Sequence, residues 1–185
     1  MSSAYARTKK TGDGAAGAAP SASSVSEQIP KARDAALRLL ATRERSRAEL
    51  RQRLRTKGFH LDAIEAALDR LAETGLQSDD RFAERYAAEM AARGKASRLI
   101  RTELRGKGID IELSASAATV DPDEEVERAR GLARARAARM RGIPPEARAR
   151  RIAGWLARRG YDGETCRTIA AEIADPDGPS GIERP

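Results

Sequence analysis

The chain is short of the residues that most catalytic sites and large cores depend on. In 185 residues it has one cysteine, one histidine, one tryptophan, three tyrosines and two phenylalanines. A lone Cys166 closes no intramolecular disulfide, which points to a reducing, cytoplasmic setting. His60 is the sole histidine, so no His–Cys cluster has metal-ligand spacing and no imidazole stands ready to activate a nucleophile. His60 reads as a turn residue after Gly58-Phe59, and Cys166 as a small buried thiol. No apolar run approaches the ~18 residues of a membrane span, and no apolar stretch follows the basic N-terminus as a secretory signal requires. The expectation is a cytoplasmic protein with no membrane contact, no metal, no cofactor and no enzymatic activity.

Scarce aromatics also limit the core. Apolar residues are 40% of the chain, much of it alanine, so any core needs close helix–helix contact through small side chains. Strand-favouring residues are few, while Ala, Leu, Arg and Glu dominate, and that balance favours helix. The net charge of +7 points to an acidic or polyanionic partner. It is unevenly distributed. Residues 31–77 carry 11 basic and 7 acidic groups, residues 78–120 carry 8 and 7, and residues 121–174 carry 12 and 9.

Against these absences stands a repetition. The chain reads "LRTKGF" at 54–59, "LRGKGI" at 104–109 and "LARRGY" at 156–161. The glycines Gly58, Gly108 and Gly160 are 50 and then 52 residues apart. A period of that length signals a supersecondary unit stacked in series. Each unit resolves into three helices, with the six-residue phrase as the corner between the second and third. In repeat one the first helix is expected over about Lys31 to Thr42. Ser46 then caps a middle helix, with Glu49 completing a capping box. Leu61, Ile64, Leu68 and Leu71 draw the apolar stripe of the last helix. In repeat two Ser78 caps a helix carrying Phe82, Tyr86 and Met90. Ile100 and Leu104 align with Leu50 and Leu54, and the last helix is short. In repeat three Asp121, Pro122 and Glu124 make a strong start for a helix that can run to Arg141, roughly 30 Å. Ile152 and Leu156 follow in the same alignment, then Ile169 and Ile173.

The fold expected is therefore all-α: three tandem three-helix repeats in an elongated curved array, with disordered termini. The boundaries are a tail over 1–30, repeats over 31–77, 78–120 and 121–174, and a second tail over 175–185. The first tail contains "GDGAAG" at 12–17, a literal dinucleotide fingerprint. Without a strand before it and a helix after it, the match is accidental. Asp79-Asp80 is no catalytic pair either, because adjacent helical residues point about 100° apart and a helix start explains both.

The stretch "GLQSDDRFAERYAAEMAARGKASRLIRTELRGKGI" at 75–109 resembles the centre of the RecX regulatory family, proteins that modulate the RecA recombinase. "DDRFAERY" followed some twenty residues later by "ELRGKGI" carries most of the likeness, which extends over about 31–174. Lys95-Ala96 stands where family members often have Gly-Pro, and Ala153 and Ala157 replace two aligned arginines in repeat three. The resemblance implies tandem three-helix repeats and a monomer that binds the RecA–single-stranded DNA filament. By that binding it would modulate, chiefly inhibit, recombinase and ATPase activity in DNA repair, recombination and the SOS response.

Aligned on the corner glycines, Arg51 matches Arg101, Arg55 matches Arg105, and Lys57 matches Lys107 and Arg159. Within each middle helix the arginines are i, i+4 and share a face, about 100° round from the leucines. Stacking two repeats would set these rows side by side as a positive strip for filament or DNA. The other reading is solvated helix surface, left in step by duplication; recurrence of charge at matched positions favours the strip. Phe59, Ile109 and Tyr161 share one post-glycine position, and an aliphatic member there argues for packing over base stacking. A second function class is a nucleic-acid-binding module that contacts single-stranded DNA directly. Base readout needs side chains such as Asn or Gln, and the middle helices offer little beyond Gln52, so such binding would be sequence-nonspecific. A helical adaptor for another acidic protein is a third reading.

Overall fold

The helix-favouring composition is realised throughout: in the computed structural model, which describes residues 22–175, nine helices and no strand are found among the described residues. Repeat one holds α1 (Ala22–Leu40), α2 (Arg47–Thr56) and α3 (Leu61–Glu73). Repeat two holds α4 (Asp79–Ala92), α5 (Ser97–Gly106) and α6 (Ile111–Ala117), and repeat three holds α7 (Pro122–Ala137), α8 (Pro145–Ala157) and α9 (Gly163–Ala174). Each triplet builds a small core, and the third also takes in Ala96, at the cap of α5 in repeat two. Leu50, Leu54, Ile64, Leu68 and Leu71 close on Ala35 and Ala36 in the first. Phe82, Met90, Ile100, Leu104 and Ile109 fill the second. Ile152, Leu156, Tyr161, Cys166 and Ile169 fill the third, against Ala129 and Ala133. Alanine on the first helix lets the other two approach closely, and each large buried side chain stabilises by about 1.5–3 kcal/mol. The main helix–helix contacts lie within repeats, not between them.

Several expectations need correction. Residues 22–30, assigned to the tail, are the first half of α1, and Pro30 lies inside that helix. Proline usually marks a helix boundary, which is why the start was set beyond it. Tertiary contact overrides that preference here. Gln28 Oε1 accepts from the backbone N–H of His60 at 2.9 Å, tying α1 to the start of α3. The remaining tail assignments, and the Gly-rich match at 12–17, lie outside the described residues. The first helix of repeat three stops at Ala137, short of Arg141, and Gly142 at φ +75° helps turn the chain toward Pro144-Pro145. Leu61 does not join the core; it is 50% exposed at the first position of α3. The capping box is half made. Ser46 Oγ accepts from Glu49 N at 3.1 Å, but the Glu49 carboxylate binds Arg43 and Lys107.

The repeats meet at their corners. Gly58, Gly108 and Gly160 all have positive φ, +86°, +80° and +90°. A side chain on Gly108 would overlap the Ala48 methyl on the first turn of α2, and one on Gly160 would overlap Leu99 on the first turn of α5. So the corner of each later repeat seats on the middle helix of the repeat before it. At the first junction Ser46 Oγ donates to Lys107 O at 2.6 Å; at the second, Ala96 N donates to Arg159 O at 2.9 Å. The first free N–H of α2 and of α5 is then capped from the next repeat. Arg47 N donates to Asp79 Oδ1 at 2.7 Å, and Ser97 N donates to Glu125 Oε1 at 2.6 Å. These charge-assisted bonds satisfy donors that a helix start leaves open.

Within repeat one, Glu65 on α3 fastens α2. It accepts from Arg47 Nη2 at 2.7 Å, from Arg51 Nη2 at 2.9 Å and from Arg51 Nε. The Arg51 hydrogen bonds outweigh burial and hold its carboxyl down at about 2.

Two outcomes are expected. Gly58→Ala meets no neighbouring atom, so it costs only the left-handed strain, about 1–2 kcal/mol. Gly108→Ala adds an overlap with Ala48 and costs about 3 kcal/mol in total, read by urea denaturation of both variants. Glu65 contributes stability that is full above the ordinary carboxyl pKa and lost as pH falls through about 2. Glu65→Gln should therefore be less stable at neutral pH by about 1–2 kcal/mol, a figure discounted for partial exposure. The gap between variant and parent should close progressively on acidification, measured as unfolding free energy against pH.

Candidate functional site

The seven basic residues of the expected strip fall into two groups. Arg51 is committed to Glu65, so it serves the α2–α3 contact. Lys107 Nζ binds Glu49 Oε1 at 3.1 Å across the first junction and lies 5.0 Å from the centre of the Tyr86 ring. Arg159 stacks its guanidinium 4.1 Å from the Trp155 ring centre, with Arg136 4.9 Å from the same ring, and its Nε is buried without an acceptor. These three hold helices and repeats together. Arg55, Lys57, Arg101 and Arg105 carry no ion pair among the described residues; Arg105 Nη2 reaches only the Thr102 hydroxyl, at 3.4 Å. Arg51 and Arg101 differ because seven residues after the corner glycine repeat one has Glu65 and repeat two has Ala115.

The structure brings Arg105 and Lys107 together with cations that matched alignment did not select. A cleft of about 450 Å³ opens at the first junction, between α2 with the turn before it and the end of α5. Arg43, Arg45 and Arg53 line it from repeat one, and Arg105 and Lys107 from repeat two. Glu49 is the one carboxylate among these lining residues. Glu49, Gln52 and Arg53 share one stripe on the opposite side of α2 from Arg51, and Arg45 joins them from the turn before the helix. Comparing equal positions in two repeats misses such a site, because the start of one middle helix and the end of the next build it. The available signal was the density of arginine at 43–55.

Electrostatics in the cleft follow from crowding. Arg43 Nη1 and Lys107 Nζ bind Glu49 at 3.0 and 3.1 Å; against burial, which opposes it, these bonds hold the Glu49 carboxyl below its ordinary value. Arg45 Nε donates to Leu39 O at 3.2 Å and Nη2 to Thr42 Oγ1 at 3.3 Å, with no carboxylate partner. Burial, and with it the charges of Arg43 and Arg53, lowers the Arg45 pKa. In repeat two, Lys95 Nζ binds Glu103 at 2.5 and 2.7 Å, and the Tyr86 hydroxyl donates to Glu103 at 2.9 Å. Burial, then this carboxylate, pushes the Tyr86 phenol up to about 12.

The other residues weighed for chemistry have structural places. His60 caps α3, its Nδ1 accepting from Asp62 N at 3.4 Å. Cys166 is buried in the third core, and burial raises its thiol pKa, the reverse of what a nucleophile needs. Phe82 and Tyr161 are buried, Phe59 and Tyr86 pack against their cores, and Trp155 borders the third core. Among the described residues no group of three or more His, Cys, Asp or Glu could hold a metal ion, and no helix is long and apolar enough to cross a membrane.

Comparison with known proteins agrees with this architecture. Residues 32–71 match the family domain described as RecX, first three-helix domain; residues 78–117 match the second and residues 123–169 the third. A regulatory protein RecX of Thermobifida fusca is 36% identical over 162 residues, covering 86% of this chain and 88% of that one. Another, from Mycobacterium leprae, is 41% identical over 155 residues, covering 82% and 91%. The crystal structure of RecX from Lactobacillus salivarius superposes with a TM-score of 0.67 at 28% identity, covering 80% of this chain and 97% of that one. Three three-helix repeats joined at glycine corners, matched repeat by repeat and by relatives along most of their length, establish that the chain belongs to the RecX family of regulatory proteins.

Proposed function

We propose that this chain is a monomeric regulator that binds the RecA–single-stranded DNA filament and restrains its recombinase and ATPase activity. The observation that carries the reading is the set of cations left without ion pairs on two successive middle helices: Arg55 and Lys57 at the end of α2, Arg101 and Arg105 on α5. Guanidinium forks suit carboxylates and phosphates alike, the two anionic groups a nucleoprotein filament offers. A tandem array presents such groups over a longer span than one domain, so its full surface finds a partner only on an assembled polymer. Lys107 and Arg159 serve the same end indirectly, at the two junctions between repeats, and Arg51 by holding α2 against α3 within repeat one. Family membership supports the regulatory role.

The test is charge reversal of the unpaired set. Arg55→Glu, Lys57→Glu, Arg101→Glu and Arg105→Glu together should raise the concentration needed to inhibit filament-dependent ATP hydrolysis by more than about tenfold. Helicity by circular dichroism should stay at the parental value. Reversing the exposed Arg139 and Arg141 is the matched control, with little expected effect. Wild-type inhibition should weaken steeply with added salt. Full inhibition by the quadruple variant would move the filament face elsewhere. Gel shift of naked single-stranded DNA at the affinity found for the filament would favour a sequence-nonspecific nucleic-acid module instead.

A further inference from the structure

The cleft at the first junction shares Arg105 with the filament reading, but its other unpaired cations, Arg45 and Arg53, belong neither to that reading nor to the bonds that join the repeats. Five cations surround about 450 Å³, and their only carboxylate, Glu49, is already bound by two of them. Among the described residues, Arg45, Arg53 and Arg105 have no carboxylate partner. Unlike a charge on an open helix face, these guanidinium groups face a concave space shared by two repeats. Arg45 is held in place by Leu39 O and Thr42 Oγ1, and Arg105 by Thr102 Oγ1. Positioned, mutually repelling cations raise the energy of the empty site and favour any anion that fills it.

The lining also selects among anions. Among the described residues Ala48 is the only apolar side chain in it, and none of its lining residues is aromatic. A peptide segment would find little for its carbon stems to pack on, and a nucleobase would find nothing to stack on. A compact anion with oxygens in several directions and more than one charge meets the arginines on their own terms.

We propose that this cleft is an oligophosphate-binding site, in which Arg45 and Arg53 of repeat one and Arg105 of repeat two clamp a run of adjacent phosphates and fasten the two repeats together. The run could belong to a nucleic-acid strand or to a free oligophosphate such as a nucleotide's triphosphate. The inference shares Arg105 with the filament reading but does not rest on it, because Arg45 and Arg53 lie outside that set and the binding is read on the chain alone.

Thermal unfolding of the full chain at low ionic strength tests it. Tripolyphosphate should raise the melting midpoint well beyond sodium chloride of equal ionic strength, since a ligand of the folded state stabilises by mass action. Arg53→Gln with Arg105→Gln should weaken that response by about tenfold in ligand concentration, whereas Arg55→Gln with Arg101→Gln, an equal loss of charge outside the cleft, should change it by less than about twofold. Without ligand, the Arg53/Arg105 variant should melt no lower than the parent, since removing crowded cations relieves repulsion; this separates lost binding from lost folding. An oligothymidylate, tested in parallel, identifies the source. A shift with both probes points to the shared chemistry, and a shift with oligothymidylate alone points to a strand. No shift with either, or equal loss in the two double variants, overturns the proposal.

Discussion

The seating of a glycine corner on the first turn of the preceding middle helix is the contact on which the rest of this molecule depends. Gly108 lies against Ala48 and Gly160 against Leu99 with no room for another carbon. Because the main helix contacts stay within repeats, these corners and the bonds around them fix the order and placement of the cores. Glycine is needed twice over there: for the left-handed turn that ends the middle helix, and for close approach of one backbone to its neighbour. Gly58 has the same backbone conformation, and no described residue lies against it.

The same junction settles the hydrogen-bond account of the middle helices. Ala96 occupies the cap position of α5 and has no side chain to cap with, a weakness if that helix stood alone. Glu125 from the next repeat takes over, accepting from both Ser97 N and Ser97 Oγ. Asp79 does the equivalent for α2 while Ser78 caps its own helix. Acidic residues at the start of α4 and α7 therefore act outward as well as along their own helix dipoles. Each repeat completes the helix before it, so a repeat cut from the series would lose caps as well as contacts.

Much of this was legible in the residues. The corner glycines, the in-step leucines, Ser46, Ser78 and Asp121 as caps, and the short last helix of repeat two are local signals, and local physics decides them. What could not be read has a common cause. Pro30 sits inside α1 because Gln28 reaches His60, 32 residues on. Glu49 leaves its capping box because Lys107, 58 residues on, draws it away. Arg51 and Arg101 occupy matched positions, yet Glu65 neutralises one and Ala115 leaves the other without an ion pair. Repeats share their backbone plan more faithfully than their partners, so matched positions predict shape better than charge.

That division explains how so basic a chain keeps three small cores together. Where a cation faces a carboxylate across two elements, as Arg51, Lys107 and Arg130 do, charge becomes part of the fold. Where the opposing carboxylate is missing, repulsion is tolerated because the groups lie at helix ends and clefts, where water screens them. Positive charge thus accumulates at the edges of α2 and α5, beside the junction that sets their relative placement. Any anion bound there would act on the placement of two repeats at once, and so would couple recognition to the shape of the array.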